Sequence, residues 1–169
     1  APDAPTSLDT SSLITNNSTP TITGNAEPNS IITLLNGDII LGTATTDSEG
    51  VFSIIPSAAL ADGPYSLEAI ATDAAGNISS ESSSISITID TTSPDAPSSL
   101  ATSSPITNNS TPTITGNAEP GSNITLINEN IAIGTATTDS EGAFSITPSA
   151  ALADGDYSLK LIATDLVGN

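Results

Sequence analysis

Nineteen carboxylates and one cation, Lys160, make up the ionisable chemistry of this 169-residue chain, which has no His, no Cys and no Arg. That set leaves few reactions open. A Ser-His-Asp or Cys-His nucleophile cannot be assembled without its base or its thiol. Two carboxylates across a sugar could hydrolyse a glycoside, and several oxygens around a hard cation could bind calcium. The stretch "DTTSPDAP", Asp90 to Pro97, puts two aspartates and two prolines at the middle of the chain. Such a stretch is either a passive joint or half of a metal site that stiffens the joint.

The formal charge of -18 disfavours nucleic acid and anionic membrane surfaces, which are held by Lys and Arg. A hydrophobic fraction of 36% still permits a packed core, unlike that of a disordered acidic tail. Phe52, Tyr65, Phe144 and Tyr157 are the only aromatics. No apolar run approaches the roughly 18 residues of a membrane span, so no direct membrane insertion is expected, and no signal peptide is visible. The absence of Met predicts a piece of something longer.

The elements that must position the acids come in duplicate. "PDAPTSLDTSS" from Pro2 returns as "PDAPSSLATSS" from Pro94, and the offset of 92 holds without a gap from "ATDAAGN" (Ala71 to Asn77) to "ATDLVGN" (Ala163 to Asn169). Of the 76 paired positions 59 are identical. The pattern predicts two domains, 1–92 and 93–169, the second lacking the last strand that "ISSESSSISITID" (Ile78 to Asp90) provides in the first. Short alternating runs rich in Ser, Thr and Asn predict an all-β architecture of tandem immunoglobulin-like β-sandwiches in a linear array. The expected strands are "SLDTSSLIT" (one split strand), "TPTITGNA", "SIITLLNG", "IILGTATT", "VFSIIPS", "YSLEAIATD" and "SISITID". Substitutions between the copies mark the outward face. Ile31 becomes Asn123 beside the retained Ile32 and Leu34, Val51 and Ile55 become Ala143 and Thr147 beside Phe52 and Ile54, and Glu68 becomes Lys160 beside Leu67. That period of two is the period of half-buried antiparallel strands.

Antiparallel order then brings the loops after strands two, four and six to the end where each domain begins. They carry Glu27, Asp47, Glu49, Asp73 and Asn77 in the first copy, and Glu119, Asp139, Glu141, Asp165 and Asn169 in the second. Asp90 and Asp95 of the linker would face the second set. Like charges ~4 Å apart repel by about 4 kcal/mol at an effective dielectric near 20. A calcium ion, which accepts six to eight oxygens of loose geometry, is the simplest compensation, and magnesium with its strict octahedron suits these loops less well. Piece by piece the same residues also read as plain turns: "DSEG" and "DAAGN" join Asp or Asn to Gly. At the opposite end Asp62-Gly63 and Asp154-Gly155 make a turn that a tyrosine corner at Tyr65 and Tyr157 would pin. Pro94 and Pro97 stiffen the linker with or without metal.

Taken together, "DTTSPDAP", "TPTITGNAEPNSIITLLNG", "TTDSEGVFSI" and "LADGPYSLEAIATDAAGN" resemble the bacterial Ig-like repeats of giant surface adhesins of Gram-negative bacteria, over both copies. The resemblance implies a sandwich repeated many times, secreted through a type I system and held extracellularly at the bacterial cell surface, with roles in adhesion and biofilm formation. It implies calcium at the junctions, with Asp90 and Asp95 joined by Glu119, Asp139, Glu141 and Asp165 of the second domain. A matching site at the first domain would use Asp3, Asp47, Glu49 and Asp73. The implied partners are neighbouring repeats of the same chain; the unpaired edge of the incomplete second domain is expected either to take a strand from a neighbouring chain or to pair with one that the parent protein supplies. A module binding a carbohydrate or protein ligand is the competing reading, and the lack of Trp and of surface aromatics speaks against it. Six Asn-x-Ser/Thr sites (Asn16, Asn17, Asn77, Asn108, Asn109 and Asn123) arise by chance in so Ser/Thr/Asn-rich a bacterial repeat. Near-identical copies offer no distinctive cleft for a carboxylate pair, so no catalysis is expected. A screen of glycoside, ester and peptide substrates should give rates equal to buffer, and turnover abolished by a single carboxylate substitution would overturn that reading.

Overall fold

Residues that alternate in the sequence alternate between interior and solvent. In the third run Ile31 is exposed while Ile32 and Leu34 are buried, and in the fifth Val51 and Ile55 are exposed while Phe52 and Ile54 are buried. The inward set can leave water only if a second sheet covers it, and that requirement builds the sandwich. The computed structural model describes residues 1–102 and 104–169. It divides into two units, Ala1–Thr91 and Thr92–Asn169, and no helix forms among the described residues.

The first unit has eight strands: β1 (Thr6–Thr10), β2 (Ile14–Thr15), β3 (Ile22–Asn25), β4 (Ile31–Asn36), β5 (Ile39–Thr45), β6 (Val51–Ile54), β7 (Gly63–Thr72) and β8 (Ile85–Ile89). They form a three-stranded sheet, β1-β3-β6, and a five-stranded sheet, β2-β8-β7-β4-β5. The split first strand thus contributes β1 to one sheet and β2 to the other, where β2 runs parallel to β8. The core gathers Ile22, Ile32, Leu34, Phe52, Ile54, Leu67, Ile87 and Ile89 from both sheets. Burying an isoleucine such as Ile87 or Ile89 contributes about 1.5–3 kcal/mol.

The second unit has six strands: β9 (Ser98–Thr102), β10 (Ile114–Asn117), β11 (Asn123–Asn128), β12 (Ile131–Thr137), β13 (Ala143–Ile146) and β14 (Leu159–Thr164). Its sheets are β9-β10-β13 and β12-β11-β14. Among the described residues neither β2 nor β8 has a counterpart. The two absences have one cause, since β2 pairs only with β8. For the same reason β14 is shorter than β7: Gly155–Ser158, equivalent to the β7 residues that β8 holds, are not in a strand. Leu159, Leu161 and Ala163 are only half-buried, whereas Leu67, Ala69 and Ala71 are fully buried.

Two local features depart from simple alternation. Leu34 and Leu35 are adjacent yet both buried, because β5 skips Leu41 in pairing with β4 and the bulge rotates the strand. Gly24 on β3 faces Phe52 on β6, and a Cβ there would come 2.8 Å from Phe52 Cε1, so the glycine makes room for the ring.

Gly50 has φ +82, and a Cβ on it would strike the carbonyl oxygen of Ala26; Gly37 has φ +56 with nothing within 4 Å. Gly50→Ala is therefore expected to lower the stability of the first repeat by about 2 kcal/mol or more, and Gly37→Ala by about 1 kcal/mol. Urea unfolding of the two variants checks this, and equal losses would show that the Ala26 contact is unimportant.

Candidate functional site

The strand pairings place the acidic loops. β4 begins at Ile31, flanked by Thr45 at the end of β5 and Thr72 at the end of β7. Thr6, at the start of β1, lies opposite Asn25 at the end of β3. The loops of Glu27, of Asp47 and Glu49, and of Asp73 therefore share one end of the first unit with the segment carrying Asp3. In the second unit Asn123 is flanked by Thr137 and Thr164, and Ser98 lies opposite Asn117. Glu119, Asp139, Glu141 and Asp165 thus occupy the end at which the Asp95 segment leads into β9. Asp90 is different. It follows Ile89, which pairs with Gly63 at the start of β7, so it sits at the opposite end of the first unit, its N–H donating to Thr15 O at 2.9 Å.

Two of the loops are clamped together. Ala26 N–H donates to Gly50 O (2.8 Å), and the hydroxyls of Ser30 and Thr46 both donate to Glu27 O (2.7 Å each). In the second unit Ala118 N–H donates to Gly142 O (2.9 Å) and Thr138 Oγ1 to Glu119 O (2.6 Å). Ser30, Thr46, Ser122 and Thr138 are buried, and sequence reasoning passed over them because Ser and Thr are so common in these strands. The main-chain carbonyls of Glu27 and Glu119 are thus structural, while both side chains are exposed. The turn at Asn29 (φ 61) is left-handed; Gly121 takes its place in the second copy at φ 78, the same conformation without a Cβ.

The aspartates of these loops are bound by their own turns. Asp47 Oδ1 accepts the N–H groups of Glu49 (2.9 Å) and Val51 (2.8 Å), and Asp139 Oδ1 those of Glu141 and Ala143 at the same distances. Asp73 Oδ1 accepts Ala75 N–H and Asn77 N–H (2.9 Å each), and its Oδ2 accepts the Asn77 side-chain amide at 2.8 Å. Asp165 Oδ1 accepts three N–H groups, from Val167, Gly168 and Asn169, and its Oδ2 the Asn169 amide. The Asn77 side chain, then its backbone N–H, holds the Asp73 carboxyl below the ordinary 3.8. At Asp165 partial desolvation pushes upward, but the backbone and side-chain hydrogen bonds of Asn169 and the N–H groups of Val167 and Gly168 outweigh it, and the value falls.

The sequence-based metal ligands thus divide. Asp3, Glu49, Asp95, Glu119 and Glu141 are exposed, and Asp47, Asp73, Asp139 and Asp165 are turn-bound. Among the described residues no three or more acids form a group that could hold a metal ion. At the turn-bound positions N–H dipoles stabilise the negative charge that a cation was expected to neutralise. At the other end the tyrosine corner forms in both units, with Tyr65 and Tyr157 hydroxyls donating to Ala61 O and Ala153 O at 3.0 Å.

A Greek-key pair of sheets with a split first strand, a tyrosine corner and loops tied by their own hydrogen bonds defines an immunoglobulin-like sandwich. The chain belongs to the bacterial Ig-like domain family, whose profile matches residues 2–91 and again 93–169. No curated protein matches it significantly. Among solved structures it is similar to a tetra-tandem repeat in the extending region of a large adhesion protein, with 24% identity and a TM-score of 0.42 over 100% of this chain and 47% of that one. It is similar to the BSP domain of a biofilm-associated protein at 22% identity and a TM-score of 0.33, over 98% of this chain and 30% of that one. The FN1–FN3 domains of chicken CNTN1 match at 14% identity and a TM-score of 0.49, over 99% of this chain and 63% of that one. The chain spans less than two thirds of the length of each.

Because the folded pKa of Asp73 is depressed, its contribution to stability is complete above the ordinary value of 3.8 and is lost as pH falls through the folded value. Asn77→Ala is expected to raise the Asp73 pKa toward 3.8, and so to move the acid loosening of this loop to higher pH. Carboxyl chemical shifts followed through an NMR titration check it, and an unmoved Asp73 would mean that the Asn77 side-chain hydrogen bond carries no weight.

Proposed function

We propose that the chain is a structural spacer in the stalk of a bacterial cell-surface adhesin. The observation that supports this most directly is the path through the first unit: the chain enters beside Asn25 at the acidic end and leaves at Asp90 beside Gly63, at the other. A sandwich with its two connections at opposite ends lengthens a molecule by its own height each time it is duplicated. The duplication is present, with 59 of 76 positions kept. Its differences fall mainly on outward positions such as Ile31/Asn123 and Val51/Ala143, while most core positions are kept. The resemblance to adhesin repeats supplies the setting: an extracellular rod that holds an adhesive tip away from the cell.

In the finer form of the proposal, calcium stiffens the joint. Asp90 and Asp95 bind it with Glu119, Asp139, Glu141 and Asp165, and Asp3, Asp47, Glu49 and Asp73 meet a preceding repeat in the same way. The charge of -18 with a single Lys supports this. The hydrogen bonds on Asp139 and Asp165 mean that the ion must use oxygens those turns leave over, chiefly from the exposed acids. Calcium at one hundred times its dissociation constant would add about 2.7 kcal/mol of stability.

Small-angle scattering of the wild type and of Asp90→Ala, each with calcium and with chelator, tests both levels. An elongated two-repeat particle is expected, longer and less flexible with calcium in the wild type only. A particle with the repeats folded side by side would overturn the spacer reading. An elongated particle indifferent to calcium would leave the spacer intact and remove the metal, making the linker a proline-stiffened joint.

A further inference from the structure

Strands β4, β5 and β7 of the first unit contain a single charged residue, Glu68, and the equivalent β11, β12 and β14 of the second contain only Lys160. The remaining acids all lie outside these six strands. Glu68 and Lys160 are equivalent positions, 92 apart, and theirs is the one charge reversal among the differences between the copies. Glu68 alternates with the buried Leu67 and Ala69, so it faces outward beside Ile70. Lys160 alternates with Leu159 and Leu161, which pack on the core, and it faces outward beside Ile162. Across the ladder Glu68 lies opposite Leu35 and Lys160 opposite Ile127, so neither has an opposite charge as its cross-strand neighbour. We propose that these outer sheet faces join neighbouring chains, the Glu68 face of one copy docking on the Lys160 face of a second copy.

The surface around the two charges suits a contact between proteins. On the first face Ile31 and Ile40 are 51% and 64% exposed, and on the second Ile162 is 52% exposed. Threonines hold the positions between: Thr33 pairs with Thr43 and Ile70, and Thr125 with Thr135 and Ile162. Both faces thus offer apolar area to cover, set among β-branched side chains that have little rotamer freedom to lose. The net charge of -18 sets whole chains against one another. That repulsion is screened beyond about 8 Å at physiological ionic strength, so charges close to the contact dominate. There the only acid within these strands is Glu68 itself.

The partner follows from the signs. A charge placed for solubility alone could be of either sign, and every other charged side chain in this sequence is an acid. Setting the one lysine where the other copy has a glutamate creates a complementarity that like faces lack. First face on first face would bring Glu68 against Glu68, and second on second Lys160 against Lys160. Only the mixed pairing is attractive, and the like pairings are penalised. Two chains that exchange these contacts satisfy both faces at once, in a closed isologous pair. The contact adds lateral association to the spacer role and needs no metal.

The test is sedimentation equilibrium of the whole 169-residue chain at physiological ionic strength, with chelator present so that calcium plays no part. The wild-type mass is expected to rise with concentration toward that of two chains. Glu68→Lys makes both faces cationic and Lys160→Glu makes both anionic, so each variant alone should associate about tenfold more weakly or worse. An equimolar mixture of the two variants should associate again. So should the double variant, which keeps the net charge of -18. Both positions face outward, and circular dichroism checks that the variants fold as the wild type does. Carbodiimide, which couples a carboxylate to an amine in contact with it, should link Lys160 to Glu68 between isotopically labelled and unlabelled chains. The proposal is overturned if the wild type stays monomeric, if the mixed variants do not associate, or if the link forms only within one chain. It is equally overturned if the single variants associate as tightly as the wild type, which would assign the contact to another surface such as the outer edge of β14.

Discussion

The bond pattern between β7 and the segment that follows it determines how much of a repeat is built. Where Ile78–Asp90 is in place, β7 extends over Gly63–Thr72, β2 has a strand to lie beside, and Leu67, Ala69 and Ala71 are fully buried. Without that segment the equivalent strand is shorter, β2 has no counterpart among the described residues, and Leu159, Leu161 and Ala163 are half-exposed to water. The three-stranded sheet is indifferent to this, since β9, β10 and β13 pair as β1, β3 and β6 do. Comparing two near-identical sequences within one chain shows what accompanies a single element, alongside substitutions such as Leu13/Pro105 and Ala69/Leu161. Its side chains close the core, and its backbone sets the length of its neighbour.

A carboxylate in such a protein can be stabilised by N–H groups as well as by cations. Asp47, Asp73, Asp139 and Asp165 take two to four N–H donors each from their own turns. An acid at such a position stabilises local backbone geometry first, and a high count of acids in a chain is compatible with that role alone. The exposed acids, Asp3, Glu49, Asp95, Glu119 and Glu141, have no such duty assigned and add their charge to that of the turn-bound aspartates.

Much of this is legible in the sequence. Strand order and inward faces followed from Ile31/Asn123, Val51/Ala143 and Ile55/Thr147, because a duplicated sequence varies where solvent tolerates it. Antiparallel alternation alone assigned the loops to their end, and Tyr65 and Tyr157 were read as corners from their position after the turn. The bulge at Leu41 was not legible, since "IILGTATT" carries no residue type that demands it. Neither was the buried pair Ser30 and Thr46, whose role depends on a carbonyl, Glu27 O, that a sequence cannot mark as unsatisfied. Side-chain direction decided the acids: the sequence put Asp47 and Asp73 at one end, while the turn geometry aimed their oxygens at their own backbones.

The parallel pair of β2 and β8 has a mechanical consequence. When the first repeat is pulled by its two ends, β2 is drawn toward the N-terminal attachment and β8 toward the C-terminal one. Parallel strands loaded in opposite directions slide past each other, and the bonds from Thr88 N–H to Leu13 O and from Asp90 N–H to Thr15 O lie across that motion. They share the load and break together, whereas a hairpin pulled from its open end loses its bonds one at a time. The first repeat therefore has a shear clamp at its C-terminal strand.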